Sequence, residues 1–235
     1  MATLDIILPA YNPLPGWEEN VIRRFLSLRQ AMPELQMTLI VVNDGSTQMD
    51  EKGAHQKIKA SLPGLKWVSY TENRGKGYAL RKGVEGAESD YILYTDVDFP
   101  YDEESMTGLI RQLTEGSDAV IGIRDDGYYA QLPAARRRIS KLLRRINGRI
   151  LRLKVNDTQA GLKGFRQSVR PVFLSTTINR YLFDLEFVYL LSQKDHFQIS
   201  SIPITLRPGI SFSKMNRKIL IEEARNFFKI WIRRK

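Results

Sequence analysis

Two aspartates, Asp96 and Asp98, stand two residues apart where the apolar run Ile92-Leu93-Tyr94 and then Thr95 end. Acids so placed can share a cation, work as an acid–base pair, or cap the next helix. Residues i and i+2 of a strand point to the same side, so a strand running through this pair would turn both carboxylates toward one ion. Mg²⁺ or Mn²⁺ held by one or two carboxylates, with phosphate oxygens and water completing the shell, is the usual arrangement beside nucleotides. The competing expectation is that Asp98 or Asp102 only caps a helix starting near Glu103.

The elements that would position these acids alternate along the first half. Strands are expected at 4–11, 37–46, 65–70, 90–98 and 117–125. Helices are expected between them: 16–32 with Trp17, Val21, Ile22, Phe25 and Leu28 on one face, a weak one at 50–62, one loosened by glycines at 75–89, and 103–116. Strand and helix in regular turn predict a parallel sheet covered on both faces. Ligands of such sheets bind beyond the carboxyl ends of the strands. There the sequence places "PAYN", "NDGS", "TDVD" and "IRDD". The second half reads as a basic helix at 132–154, a turn and short strand at 157–166, a helix at 183–194, a strand at 197–207 and a final basic, aromatic helix at 213–235. No repeat or linker divides the chain, so one domain over 1–235 is expected, with a nucleotide half at 1–125 and an acceptor half at 126–235.

Composition narrows the chemistry. The 235 residues contain no Cys and two His, His55 and His196, which excludes disulfides, thiolate zinc sites, a cysteine nucleophile and a histidine-rich metal site. Any metal is expected on carboxylates, which favours Mg²⁺ or Mn²⁺. A net charge of +10 favours anionic partners. The N-terminus lacks the basic region of a signal peptide, and no apolar run reaches the ~18 residues that suggest a span. A cytoplasmic protein is expected, with any membrane contact peripheral.

The ordered set "ILPAYN", "VVNDGS", "NRGKGYALRKG", "YTDVD" and "IGIRD" resembles the family 2 glycosyltransferases. It is most similar to the branch of dolichol-phosphate mannose synthases and polyprenyl-phosphate glucosyltransferases, over nearly the whole chain. The resemblance implies a GT-A, Rossmann-like α/β fold with a mainly parallel central sheet flanked by helices. It implies that Pro9 and Tyr11 frame the nucleotide base, and that Val42 and Asp44 contact it, the acid accepting hydrogen bonds from it. Asp96 would lie near the ribose and diphosphate, Asp98 would be the principal metal ligand, and Lys76 and Val97 belong to the same nucleotide-sugar site. Arg124 matches a basic residue beyond strand five. "RPGISFSK" resembles a late segment that would bring Arg207 and Lys214 to the diphosphate, with one residue more than the usual spacing. Asn43-Asp44 replaces the usual acidic pair, and Pro13 the common acid after "YN", which leaves uracil and guanine both open.

On the acceptor side the resemblance implies that Asp157 and Gln159 line the sugar pocket and that Asp184 and Glu186 lie near the acceptor. A hydroxyl acceptor needs a base, which Asp184 or Glu186 would supply; a phosphate acceptor does not, and either acid would then position it. The plain alternative for Glu186 is a solvated helix residue. The implied reaction is an inverting transfer from a UDP- or GDP-linked sugar to polyprenyl phosphate, or to a sugar hydroxyl in glycan synthesis such as that of the cell envelope.

From Arg136 to Lys154 there are nine Lys or Arg and no acid, with Ile139, Leu142, Leu143, Ile146, Ile150 and Leu153 along one face. The last helix adds Leu220, Phe227, Phe228, Trp231 and Ile232 among seven Lys or Arg from Arg217 onward. Such helices can lie on an anionic membrane face or guide a polyprenyl phosphate, or can simply pack on the sheet with solvated cations. A nucleic-acid module would suit the charge, but no helix-turn-helix, zinc-finger or RNA-recognition signature occurs, so no nucleic acid is expected as partner. A sugar-nucleotide pyrophosphorylase would want a glycine-rich loop after strand one, where "PAYNPLPGW" stands. Gly75 and Gly77 are expected to form a tight helix entry beside the nucleotide.

Overall fold

The computed structural model describes residues 1–124 and 157–209, with Tyr128, Leu153, Val155, Asn226, Phe227 and Ile230. Both basic helices expected from the sequence, and Lys214, lie outside these residues apart from those isolated positions. The described strands are β1 (Ala2–Ala10), β2 (Leu35–Asp44), β3 (Lys66–Tyr70), β4 (Tyr91–Tyr94), β5 (Ala119–Arg124), β6 (Lys163–Arg166) and β7 (Ile199–Ile204). The helices are α1 (Trp17–Ala31), α2 (Glu51–Ser61), α3 (Lys76–Glu85), α4 (Glu103–Thr114), α5 (Arg170–Leu174) and α6 (Phe183–Ser192).

The seven strands form one sheet in the order β3-β2-β1-β4-β6-β5-β7. Only β6 runs against its neighbours, pairing Tyr94 with Lys163 on one side and Ile121 with Lys163 on the other. The order reverses at β1, which has β2 on one flank and β4 on the other. Such a switch point opens a crevice at the carboxyl ends of the strands. Because β6 is reversed, its N-terminal end meets that same edge and carries residues 157–163 there.

Alternation along the strands sorts the core into two layers. Leu4, Ile6, Leu8, Leu39 and Val41 pack with Trp17, Val21, Phe25 and Leu28 of α1 and with Leu109 and Leu113 of α4. Ile7, Ile40, Val42, Ile92 and Tyr94 face Leu80 and Val84 of α3 and Phe173, Phe183 and Phe187 of α5 and α6. Both faces are thus covered, as the alternating pattern requires.

Three expectations change. The fourth strand ends at Tyr94 and does not run through the acids. Thr95 N–H still donates to Ile7 at 3.2 Å, but the Asp96 carbonyl then accepts from Phe99 N–H at 2.9 Å, closing a turn in which Phe99 has φ 48°. The acids therefore sit on a turn, and strand alternation is not what aims them. The segment at 50–62 is a full helix, α2, capped by Asp50 accepting from Gly53 N–H at 3.1 Å. The glycines of α3 do not loosen it: a Cβ at Gly83 would lie 2.4 Å from Ile7, so its absence lets the helix settle onto β1.

Candidate active site

The acidic turn is fixed through its backbone. The Asp98 carbonyl accepts from Asn20 Nδ2 at 2.9 Å and from an Arg207 guanidinium nitrogen at 2.7 Å, and Arg207 Nε donates to the Phe99 carbonyl at 2.6 Å. The Asp98 and Phe99 carbonyls are so engaged, while the exposed Asp98 side chain has no salt-bridge partner among the described residues. Desolvation, then the like charge of Asp96, pushes the Asp98 carboxyl above its ordinary 3.8, against the pull of Lys76 and Arg207. Asp102 takes the capping task, accepting from Ser105 N–H at 2.9 Å, so the helix cap does not explain Asp98.

Lys76, the first residue of α3, forms a salt bridge with Asp96. Burial pulls its ammonium down, but Asp96, Asp184 and Asp98 more than offset this and hold it above its ordinary value. Gly161 closes the other side: a Cβ there would stand 2.6 Å from Asp96 Oδ2. Its N–H donates to the Tyr101 hydroxyl at 2.8 Å. The α3 entry is tight, as the sequence suggested. Gly75 has φ 98°, and the Asn179 carbonyl accepts from Gly77 N–H at 2.7 Å and Tyr78 N–H at 3.3 Å.

Asp44, at the end of β2, is buried. Its carboxylate accepts from Asn73 Nδ2 at 2.9 Å, Arg74 N–H at 2.8 Å and Gly75 N–H at 2.9 Å. Those bonds tie the loop before α3 to the sheet. Pro9 and Val42 are neighbours across β1 and β2, and Tyr11 projects at the rim, 50% exposed. Asn12 latches the rim, its side-chain oxygen accepting from Thr47 and Gln48 N–H at 2.9 Å each. Val97 is half-buried in the acidic turn.

Arg124 and Asp157 meet in a clasp. The Asp157 carboxylate accepts from Arg124 N–H and Nε at 2.8 Å each and from a terminal guanidinium nitrogen at 2.7 Å. Burial alone would raise the Asp157 carboxyl; Arg124 outweighs it and holds the group below its ordinary 3.8. Gln159 beside it is exposed. The clasp joins the end of β5 to the segment entering β6 through the Asp157 carboxylate.

Neither expected acceptor acid stands open. Asp184 accepts from the Tyr94 hydroxyl at 2.7 Å and pairs with Lys163, which also donates to the Ala160 carbonyl at 2.6 Å. Lys163 is wholly buried; burial lowers its ammonium, against the pull of Asp184. Glu186 is 1% exposed, not solvated, and accepts from Thr177 N–H at 2.8 Å, the Thr177 hydroxyl at 2.9 Å and Ile178 N–H at 2.7 Å. Both acids hold structure around the site. Lys163, Gly161, Tyr94 and Asn179 are contributors that sequence reasoning missed.

Among the described residues no three His, Asp or Glu side chains gather as a ready metal cage. The donor set at the acidic turn is two carboxylates, which suits Mg²⁺ or Mn²⁺ sharing its shell with substrate phosphates and water. Desolvation and then repulsion by Asp96 raise Asp98, and a cation beside the acids would offset both.

The sequence model described as Glycosyl transferase family 2 matches residues 5–172. A dolichol-phosphate mannosyltransferase of Pyrococcus furiosus is 26% identical over 97% of this chain, which spans 63% of that protein. A dolichyl-phosphate beta-glucosyltransferase of Drosophila melanogaster is 28% identical over 98% of the chain and 74% of its own length. Among solved structures, glucosyl-3-phosphoglycerate synthase of Mycobacterium tuberculosis, in complex with Mn²⁺, UDP and glucosyl-3-phosphoglycerate, superposes with TM-score 0.64 at 18% identity, covering 99% of this chain and 80% of that one. The mannosyltransferase PcManGT of Pyrobaculum calidifontis, with GDP-Man and Mn²⁺, gives TM-score 0.57 at 16% identity, covering 85% and 54%. These likenesses establish the GT-A fold.

Proposed function

Because the chain belongs to glycosyl transferase family 2, we propose that it moves a sugar, with inversion, from a UDP- or GDP-linked donor to polyprenyl phosphate. The observation that carries the reading is the acidic turn: the Asp98 and Phe99 carbonyls are pinned by Asn20 and Arg207, the Asp98 side chain is exposed, and Asp96 stands beside it paired with Lys76. Asp98 and Asp96 would hold Mg²⁺ or Mn²⁺, which would supply positive charge for the departing diphosphate.

The remaining work falls to the chain. Pro9 and Tyr11 offer an apolar and aromatic edge to a base, whereas the Val42 side chain is wholly buried under α3. Lys76 brings an ammonium beside the acids, and Gln159 reaches the rim next to the Arg124–Asp157 clasp. The acceptor oxygen attacks the sugar C1 from the face opposite the diphosphate; its bond to C1 forms as the C1–diphosphate oxygen bond breaks, and nucleoside diphosphate departs.

A second observation favours phosphate over hydroxyl as acceptor. A hydroxyl must lose a proton to a base, and the two candidate bases are enclosed by donors: Asp184 by Lys163 and Tyr94, Glu186 by Thr177 and Ile178. A phosphate oxygen is already anionic and needs no base. The printed names of the Pyrococcus and Drosophila relatives point the same way. The single-domain reading gains support from β6 and β7 of the second half, which enter the sheet begun by the first. No helix among the described residues is long and apolar enough to cross a membrane. Access to a lipid acceptor would be peripheral, through an anionic membrane face and the basic segments at 132–154 and 213–235.

Calorimetry with UDP and GDP, each with and without Mn²⁺, tests the reading on wild type and Asp98→Ala. One nucleotide should bind in a metal-dependent way, and the variant should lose that binding. Absence of binding by both would remove the transferase reading. Turnover with polyprenyl phosphate against a free sugar acceptor then separates the two acceptor classes.

A further inference from the structure

Two acids stand on the acidic turn, and one already has a cation. The Lys76 ammonium rests on Asp96, its side chain only 19% exposed. Among the described residues the Asp98 carboxylate has no salt-bridge partner.

The Lys76 placement is built from both sides. Asp44 holds the amides of Arg74 and Gly75 just before it, and Asn179 holds those of Gly77 and Tyr78 just after it. Opposite, a Cβ on Gly161 would lie 2.6 Å from Asp96 Oδ2 and 3.4 Å from Lys76 Nζ, so only a glycine leaves room for the pair as it stands.

We propose that Lys76 is a built-in counter-cation, occupying Asp96 while no divalent ion is bound and leaving it when Mg²⁺ or Mn²⁺ enters, which turns its ammonium toward the donor's diphosphate. This rests on the metal site of the proposed function. An ammonium and a divalent ion cannot both sit against one carboxylate without strong mutual repulsion. Alternation avoids leaving a partly buried carboxylate uncompensated in either state. A lysine suits the exchange, because its compact charge rides on a flexible four-carbon stem. It follows that the ion alone binds weakly, since it must displace the lysine. Ion and nucleoside diphosphate then bind better together, because the diphosphate gives the displaced ammonium a new partner.

The test is an Mn²⁺ titration without nucleotide, following free Mn²⁺ by paramagnetic resonance, on wild type, Lys76→Gln, Lys76→Arg and Asp98→Asn. Lys76→Gln should bind Mn²⁺ about tenfold tighter or more. Lys76→Arg should bind no tighter than wild type. The mutual strengthening of Mn²⁺ with UDP or GDP should vanish in Lys76→Gln. On wild type, an amine-reactive reagent read by peptide mass spectrometry should label Lys76 several-fold faster with Mn²⁺ alone, and slower again once the nucleotide is added. Unchanged or weaker Mn²⁺ binding by a folded Lys76→Gln overturns the proposal; so does labelling that ignores Mn²⁺, even should that variant not fold. Mn²⁺ binding that Asp98→Asn loses but Lys76→Gln does not improve would sink the counter-cation alone. No saturable Mn²⁺ site in wild type or Lys76→Gln, with or without UDP or GDP, would sink the metal site with it.

Discussion

Lys163 on β6 and Asp184 on α6 form a salt bridge inside the protein, and the Tyr94 hydroxyl donates to the same carboxylate oxygen at 2.7 Å. The pair bolts the sheet to the helix layer directly behind the acidic turn. Removing one partner leaves a buried charge uncompensated, at a cost of about 3–5 kcal/mol. Lys163→Met should lower unfolding stability by that order in urea denaturation, and adding Asp184→Asn should restore part of it. A milder loss in the single variant than in the double would refute the coupling.

Glu186 is expected to position and not to take a proton. Glu186→Gln keeps the side chain's shape and one acceptor oxygen for the Thr177–Ile178 turn. Its kcat with polyprenyl phosphate should fall less than about tenfold, whereas loss of a general base typically removes 10²–10⁴. The shape of its pH–rate profile should match wild type.

Gly161→Ala should spare the fold and damage the site. The added methyl meets the free end of Asp96, which can swing away at little cost to packing, but not without moving the carboxylate. Melting temperature should shift by only a few degrees, while kcat/KM drops by roughly tenfold or more, as small displacements in a positioned site can bring.

Asp157 makes stability pH-dependent in a definite direction. Its carboxyl is held below its ordinary 3.8 in the folded chain, so unfolding raises its proton affinity. The stabilisation is fully present above that value and is lost as pH falls through the lower folded value. Wild type should therefore exceed Asp157→Asn in unfolding free energy at pH 7, with the gap closing below about pH 4. A gap that is constant down to pH 3 would contradict the Arg124 pairing.

Much of the sheet was legible because its strands are apolar runs bounded by turn residues, and the crevice edge followed from where the polar residues collect. The end of β4 was not legible. It is set where β6, arriving from the second half, pairs Lys163 with Tyr94. The fates of Asp44 and Glu186 were equally hidden. Asp44 serves amides some 30 positions downstream, and "FDLEFVYLL" gives no sign that an acid within it is sealed by a turn nine residues earlier. The five-residue α5 was passed over, being too short to show a period. Lys163 went unnoticed because a lysine is normally read as solvated until its buried partner is seen.

The clasp between Arg124 and Asp157 has a consequence for how the protein can vary. The chain leaves the sheet at Arg124 and reaches Asp157 before it re-enters at Lys163, and three hydrogen bonds hold Arg124 and Asp157 together. The two ends of the stretch 125–156 are thus fastened to each other, at the end of β5 and before the start of β6. A change in the length of chain between these two residues is therefore expected to leave the clasp, and with it the entry to β6, in place.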